Sequence, residues 1–389
     1  MLDLIDVSVV NNEAEHGGGV YVEAMYGTRL SRVEVLANTA TYGGGFFMVR
    51  GSLELEEALI SDNIATIDGG GLYMGTDFGS GGRFSMVDSA LSDNAAGGSG
   101  GGVYGKNLCF EAEDSIVADN AADNGSGGGI YLDYISELML IRTDVQENYA
   151  ALHGGGIHLG DVSGAEIQGG SLIANTAGTD GGGIHLEDRG YAIMDAVSIT
   201  DNVAGERGGG VYAYNSSAAY MDNAIVAENV AGTLGGGFYL LNNSRARLTD
   251  VDVQGNSASS GGGLYLYHSE LDWSGGEATG GEAVDGGGVY LYNGSEVTLS
   301  DIVLAENEAS SRGGGLFIHT DCDVSLETSE ISTNTAGEGG GVWLHDSAML
   351  STNTDFSDNA DEDLYHYDAS VSYDWGLAAD FSCDTTGCY

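Results

Sequence analysis

The chain has 389 residues, 66 of them glycine and none proline, with 11 Lys and Arg against 59 Asp and Glu for a net charge of −48. That balance excludes a nucleic-acid binder, since phosphate attraction needs clustered basic side chains, and it opposes adsorption to an anionic membrane surface. Hydrophobic residues make up 42%, more than a disordered acidic tail carries. No run of eighteen apolar residues gives a transmembrane helix, and four cysteines are too few for a disulfide scaffold.

In chain order, Met1 to Asn12 already reads as the last strands of a repeating unit. There is no basic segment followed by an apolar one, so no signal peptide is expected within these residues. Glycine triplets then begin at 17, 43, 69, 100, 127, 154, 181, 208, 235, 261, 286, 313 and 339. The thirteen triplets hold 39 of the 66 glycines, and their spacing stays between 25 and 31 residues. A period held that tightly is the mark of a solenoid.

Three strand-like residues follow each triplet, as in Ile130-Tyr131-Leu132 and Val289-Tyr290-Leu291. Strand side chains alternate faces, so the first and third point inward and the middle ring outward. About six residues before each triplet stands an Asn with Ala two positions on, from Asn12-Ala14 to Asn334-Ala336; one unit has Gly281 in the Asn place. Three residues before the Asn lies a large apolar side chain such as Val145 or Ile199.

Three glycines per unit would cost a helix heavily, and the apolar residues alternate in short bursts instead of following a 3.6 period. Each unit therefore reads as three short strands joined by corners, one coil of a parallel β-helix. Thirteen to fourteen coils at about 4.8 Å give a rod of roughly 65 Å. Stacked Asn amides satisfy a buried corner, and the triplet keeps Cβ atoms off stacked backbone. A proline would delete a donor from this ladder. Residues 1–360 form the repeat domain on this reading, and 361–389 a short C-terminal cap.

The pairing of a large apolar residue three before Asn with Gly-Gly-Gly-aliphatic-Tyr resembles the repeats of polymorphic outer membrane proteins. Phe356 to Asn359 is a literal FxxN, while the third Gly replaces the Ala of the GGA[ILV] pattern. The chain is also similar to bacterial surface proteins with right-handed parallel β-helix repeats. The resemblance implies an all-β, pectin-lyase-like right-handed parallel β-helix, and an extracellular or outer-membrane-associated setting. No β-barrel pattern follows the repeats.

Candidate sites follow from the repeat. The middle rings, among them Tyr104, Tyr131, His158, His185, Tyr212, Tyr239, Tyr265 and Tyr290, form an outward aromatic stripe. Such a stripe could stack on sugar faces or a protein partner, or simply stabilise one face of the coil. Asp62, Asp93, Asp119 and Glu147, each just before the ladder Asn on consecutive coils, form an acid column. Calcium is its candidate counter-ion, since hard oxygen donors suit it; a solvated acidic face is the plainer reading. Cys383 and Cys388 are spaced for a local disulfide, whereas Cys109 and Cys322 lie too many coils apart to bridge.

Catalytic residues are not assigned. The single Lys106 and the absence of an Asp-Asp pair, Gly-His-Gly and Arg-x-Lys depart from β-helix enzymes that cleave acidic polysaccharides. The expected function is a non-catalytic secreted or cell-surface rod, structural, adhesive or binding, self-assembling or calcium-stabilised, with self-association, a surface glycan or a protein as partner. The alternative is a β-helix carbohydrate-active enzyme, a polysaccharide lyase or glycoside hydrolase.

Overall fold

The computed structural model describes residues 2–23, 25–75, 82–374 and 383–384. Every described secondary-structure element is a β-strand, and every strand pairing is parallel. The chain divides into two compact units, Met1–Ala204 and Gly205–Tyr389. Within each unit a coil touches chiefly its neighbours, as expected for stacked repeats.

The coil from Gly127 to His153 represents the first unit. Ile130–Asp133 pairs with Val103–Lys106 on one side and Ile157–Leu159 on the other, with Ile130 in register with Val103 and Ile157. Glu137–Gln146 then pairs with Gly164–Ile173, and Tyr149–Ala150 with Thr176–Ala177. Ile130, Leu132, Leu138, Leu140, Val145 and Ala150 point inward and are buried. Alternation thus places one aliphatic column per strand position inside the coil.

The coil has three faces, as expected, but the middle face is built from two segments. A left-handed residue six before the ladder Asn separates them: Arg32, Glu57, Asp88, Asp114 and Arg142, with φ between 45° and 53°. A second left-handed residue sits immediately before the Asn, including Asp62, Asp93, Asp119 and Glu147 at φ between 54° and 59°. Asp and Asn tolerate this conformation better than most side chains, so the acid column has a backbone cause.

The asparagines form the expected ladder. In the first unit Asn120 donates both its backbone N–H and its Nδ2 to Asn148 Oδ1, each at 3.0 Å. Asn148 does the same to Asn175 at 3.1 and 3.0 Å. The pattern runs unbroken from Asn12 to Asn202. In the second unit Asn229 bonds Asn256, and Asn307 bonds Asn334, which bonds Asn359. At the break, the Gly281 N–H donates to Asn307 Oδ1 at 2.9 Å. A Cβ at Gly281 would lie 2.3 Å from Gly287 O, so this coil's path excludes Asn there. The same coil buries Trp273 where its neighbours place Leu248 and Leu299.

The triplet is required at all three positions. Gly154 has φ 62°, and a Cβ on it would lie 2.4 Å from Ile157 O. A Cβ on Gly155 would meet Gly182 O at 2.5 Å, and one on Gly156 would meet Gly183 O at 2.7 Å. A serine ladder at the corner after the triplet strand was not legible beforehand. Ser136 accepts from the Leu108 N–H and donates to Asp133 O, and its own N–H reaches Ser163 Oγ. Cys322 takes a serine place in the second unit, with its N–H on Ser347 Oγ.

Beyond Asn359, where a cap was expected from residue 361, the described chain adds further strands to the stack. Leu364–Tyr367 pairs with Val342–His345, and Ser370–Asp374 with Ala348–Thr352. No triplet is needed at this last step. Asp363 Oδ1 accepts the Asn359 Nδ2 at 2.8 Å and closes the ladder. The backbone at Cys383 pairs with Leu364. Cys388 lies outside the described residues, and with it the Cys383–Cys388 disulfide.

Asn148→Ala is expected to strand the two donors of Asn120 and to destabilise the fold by about 1–3 kcal/mol per orphaned buried group, read by urea unfolding. Gly155→Ala is expected to lower the melting temperature further than Gly160→Ala, because backbone carbonyls cannot move aside as the Asp133 side chain near Gly160 can.

Candidate functional site

The aromatic column exists, but it is not an open stripe. In the first unit Tyr104 stacks on Tyr131 at 5.1 Å, Tyr131 on His158 at 4.8 Å, and His158 on His185 at 4.9 Å. In the second unit Tyr212, Tyr239, Tyr265, Tyr290, Phe317 and Trp343 follow one another at 4.4–5.3 Å. Each ring face is covered by its own copy. Tyr104, His158, His185, Tyr212, Tyr239 and Tyr265 are buried, and only Tyr131 and Tyr290 of the named set are half-buried.

Flanking columns close over the ring edges. Arg207 lies 5.5 Å from the Tyr212 ring centre, and Arg312 lies 5.0 and 4.9 Å from Phe317 and Trp343. Asp285 grips Arg312 through two bonds of 2.9 Å. Tyr214, Leu241 and Tyr267 pack against the rings of Tyr212, Tyr239 and Tyr265. Burial pushes the Tyr290 hydroxyl up to about 12, and those of Tyr104, Tyr131 and Tyr265 higher. These rings hold one face of the coil together and leave no flat platform for a sugar.

A second, half-exposed ring column escaped sequence reasoning. Tyr267, Tyr292, His319, His345 and Tyr367 lie two residues after the inner rings, with neighbouring centres 4.8–5.6 Å apart. Its signal was present in Leu-Tyr-Leu-Tyr, Val-Tyr-Leu-Tyr and Leu-Phe-Ile-His, where every second residue is a ring.

The acid column is exposed along its length at Asp62, Asp93, Asp119 and Glu147. Partial desolvation, then the charges of Glu147 and Asp93, raise the Asp119 carboxyl above its usual range. Among the described residues, no three His, Cys, Asp or Glu side chains converge to hold one metal ion.

Two clefts gather carboxylates on the long middle face. In the first unit, Glu111, Glu137 and Glu166 line about 230 Å³ with Tyr191 and Ile193. In the second, Glu270, Asp272, Glu296 and Asp323 line about 340 Å³ beside Arg245, which pairs with Glu270. Sequence spacing did not single these out, because only the stacking register brings residues 25–28 apart side by side. Cys109 and Cys322 are free, and burial pushes both thiols up.

Residues 128–280 match the family described as right handed beta helix region. The fold is a right-handed parallel β-helix. A stretch of 76 residues is 30% identical to a probable outer membrane protein, PmpB, of Chlamydia trachomatis serovar D; it covers 19% of this chain and 4% of that protein. The chain is thus a β-helix repeat protein that resembles the polymorphic outer membrane proteins. A solved structure, the A-module of mannuronan C-5 epimerase AlgE6 from Azotobacter vinelandii, aligns over 89% of this chain and 92% of that one. Its identity is 12% and its TM-score 0.31.

Burial holds the His158 ring well below the usual imidazole range, aided by His185 and His153 and opposed by Glu187. Its Nδ1 has no hydrogen-bond partner. The unfolded imidazole takes up a proton near pH 6.5 and the buried one does not, so this contribution is complete above that pH and is lost as pH falls below it. His158→Tyr, which restores the residue found at 131, is expected to flatten the decline of melting temperature between pH 7 and pH 5.

Proposed function

We propose that this chain is a non-catalytic scaffold of a bacterial cell surface, offering its outer faces to a protein or glycan partner. One observation carries the reading: its repeated polar and aromatic side chains are spent on their own copies. Asn bonds Asn and ring covers ring along each unit. The local likeness to an outer membrane protein supports the cell-surface setting. Treating intact producing cells with an impermeant protease is expected to cleave the chain, and protection in unbroken cells would overturn the location.

The glutamate-lined clefts favour one alternative, a carbohydrate-active enzyme. Carboxylate pairs are what glycoside cleavage uses. Incubation with neutral and uronate polysaccharides is expected to release no new reducing ends. Turnover that disappears in Glu137→Gln would replace the scaffold reading by the enzymatic one.

We propose calcium as a diffuse counter-ion of the acid column. Stacked like charges repel by roughly 1 kcal/mol per pair even in water, and screening relieves this without a fixed site. Calcium and magnesium are expected to raise the melting temperature about equally at equal ionic strength. A rise confined to calcium would instead indicate a chelating site.

A further inference from the structure

One corner of the first unit breaks the local rules of this fold. Tyr134 and Ile135 have φ 56° and 57°, and Val162 on the next coil has φ 66°. A β-branched side chain in the left-handed region is a true outlier. Several equivalent corners use residues suited to that conformation, such as Asn215-Ser216, Asn242-Asn243 and Asn293-Gly294; Thr320 is another β-branched exception, but a polar one.

The strain gains no burial. Tyr134, Ile135 and Val162 are 57%, 61% and 38% exposed. They stack, since the Ile135 N–H donates to Asp161 O at 3.1 Å. Local rules broken without benefit to the fold mark a functional surface.

Two residues further along both coils lies the first unit's glutamate cleft. Its lining includes Glu111, Glu137, Glu166, Tyr191 and Ile193 around Gly164. The Tyr191 ring lies across Gly164, where a Cβ would come within 2.2 Å of it. Tyr191 and Ile193 are 39% and 45% exposed, so they extend the apolar surface. Arg83 pairs with Glu111 at 2.7 Å, and Gln168 bonds Glu166. Glu137 is exposed and has no cation within salt-bridge distance among the described residues. Asp161 and Asp188 add negative charge at the corner, against Arg189.

From this juxtaposition we propose that Tyr134, Ile135 and Val162 with the adjoining glutamate cleft form a docking site for a basic polypeptide segment carrying apolar side chains. Charge complementarity selects the occupant. A second copy of this chain at −48 or an acidic polysaccharide would be repelled, whereas Lys or Arg flanking apolar anchors satisfies both halves of the site. The proposal deepens the scaffold reading by naming a site and partner class. Because binding is read on the purified chain, its failure leaves the cell-surface assignment standing.

The test uses fluorescein-labelled twelve-residue peptides, one alternating Lys with Leu and Trp and one alternating Lys with Ser, titrated by anisotropy into the full chain. The apolar-basic peptide is expected to bind saturably and at least about tenfold more tightly than the Lys-Ser peptide. Ile135→Asn with Val162→Asn is expected to weaken it by at least about tenfold, while raising the melting temperature because Asn relieves the strain. Glu137→Gln is expected to weaken binding and reduce its salt dependence, and the distant Asp88→Asn to leave affinity within about twofold. Equal binding of both peptides, or an unchanged affinity in the double Asn variant, overturns the proposal. So does flotation of the chain with phosphatidylcholine vesicles that the double variant abolishes while peptide binding persists, since the patch is then a lipid contact.

Discussion

A buried asparagine that accepts two bonds from its copy on one side, and donates two to its copy on the other through its N–H and Nδ2, fixes the geometry of most coils here. Asn148 Oδ1 holds the N–H and Nδ2 of Asn120, and its own N–H and Nδ2 hold Asn175. A spare amide proton returns to a backbone carbonyl, Val117 O for Asn148. The side chain sits where the chain turns and the strand ladder would otherwise leave donors unpaired in an apolar interior. Once this corner is repeated, coil length, strand register and the left-handed residue before each Asn follow.

The glycine triplet answers the opposite problem. Asn supplies a side chain that the corner needs, and the triplet removes side chains where backbone meets backbone. Gly156 shows both demands at once: a Cβ there would press on Gly183 O and on the Asn175 amide. The ladder and the triplet are therefore one device seen from two strands. Trp273 and Gly281 show how far it bends, because that coil buries a larger side chain, loses one Asn link and shifts register between Ala283 and Asp285, while its strand Glu270–Thr279 stays in register.

Charge and shape are separable in this protein. Many of the acids stand at left-handed corners, where Asp in particular suits the backbone, so part of the −48 comes with the fold. The remaining freedom lies in corner and outward-facing residues. That is where Tyr134, Ile135 and Val162 depart from the pattern and where the glutamates gather.

The sequence by itself determined the repeating coil, the inward aliphatic columns, the Asn ladder and the need for three glycines. Each is a local requirement repeated at one period, and periodicity is visible along a single chain. The tertiary structure decided what the outward residues face. Tyr212 and Tyr239 read as exposed because they alternate with buried neighbours, yet Arg207, Tyr214 and Leu241 close over them. Glu111, Glu137 and Glu166 converge although no spacing marks them as a set, because stacking sets side by side residues that the chain keeps a full coil apart. Alternation tells which side of a strand a residue occupies, and only packing tells whether that side meets water.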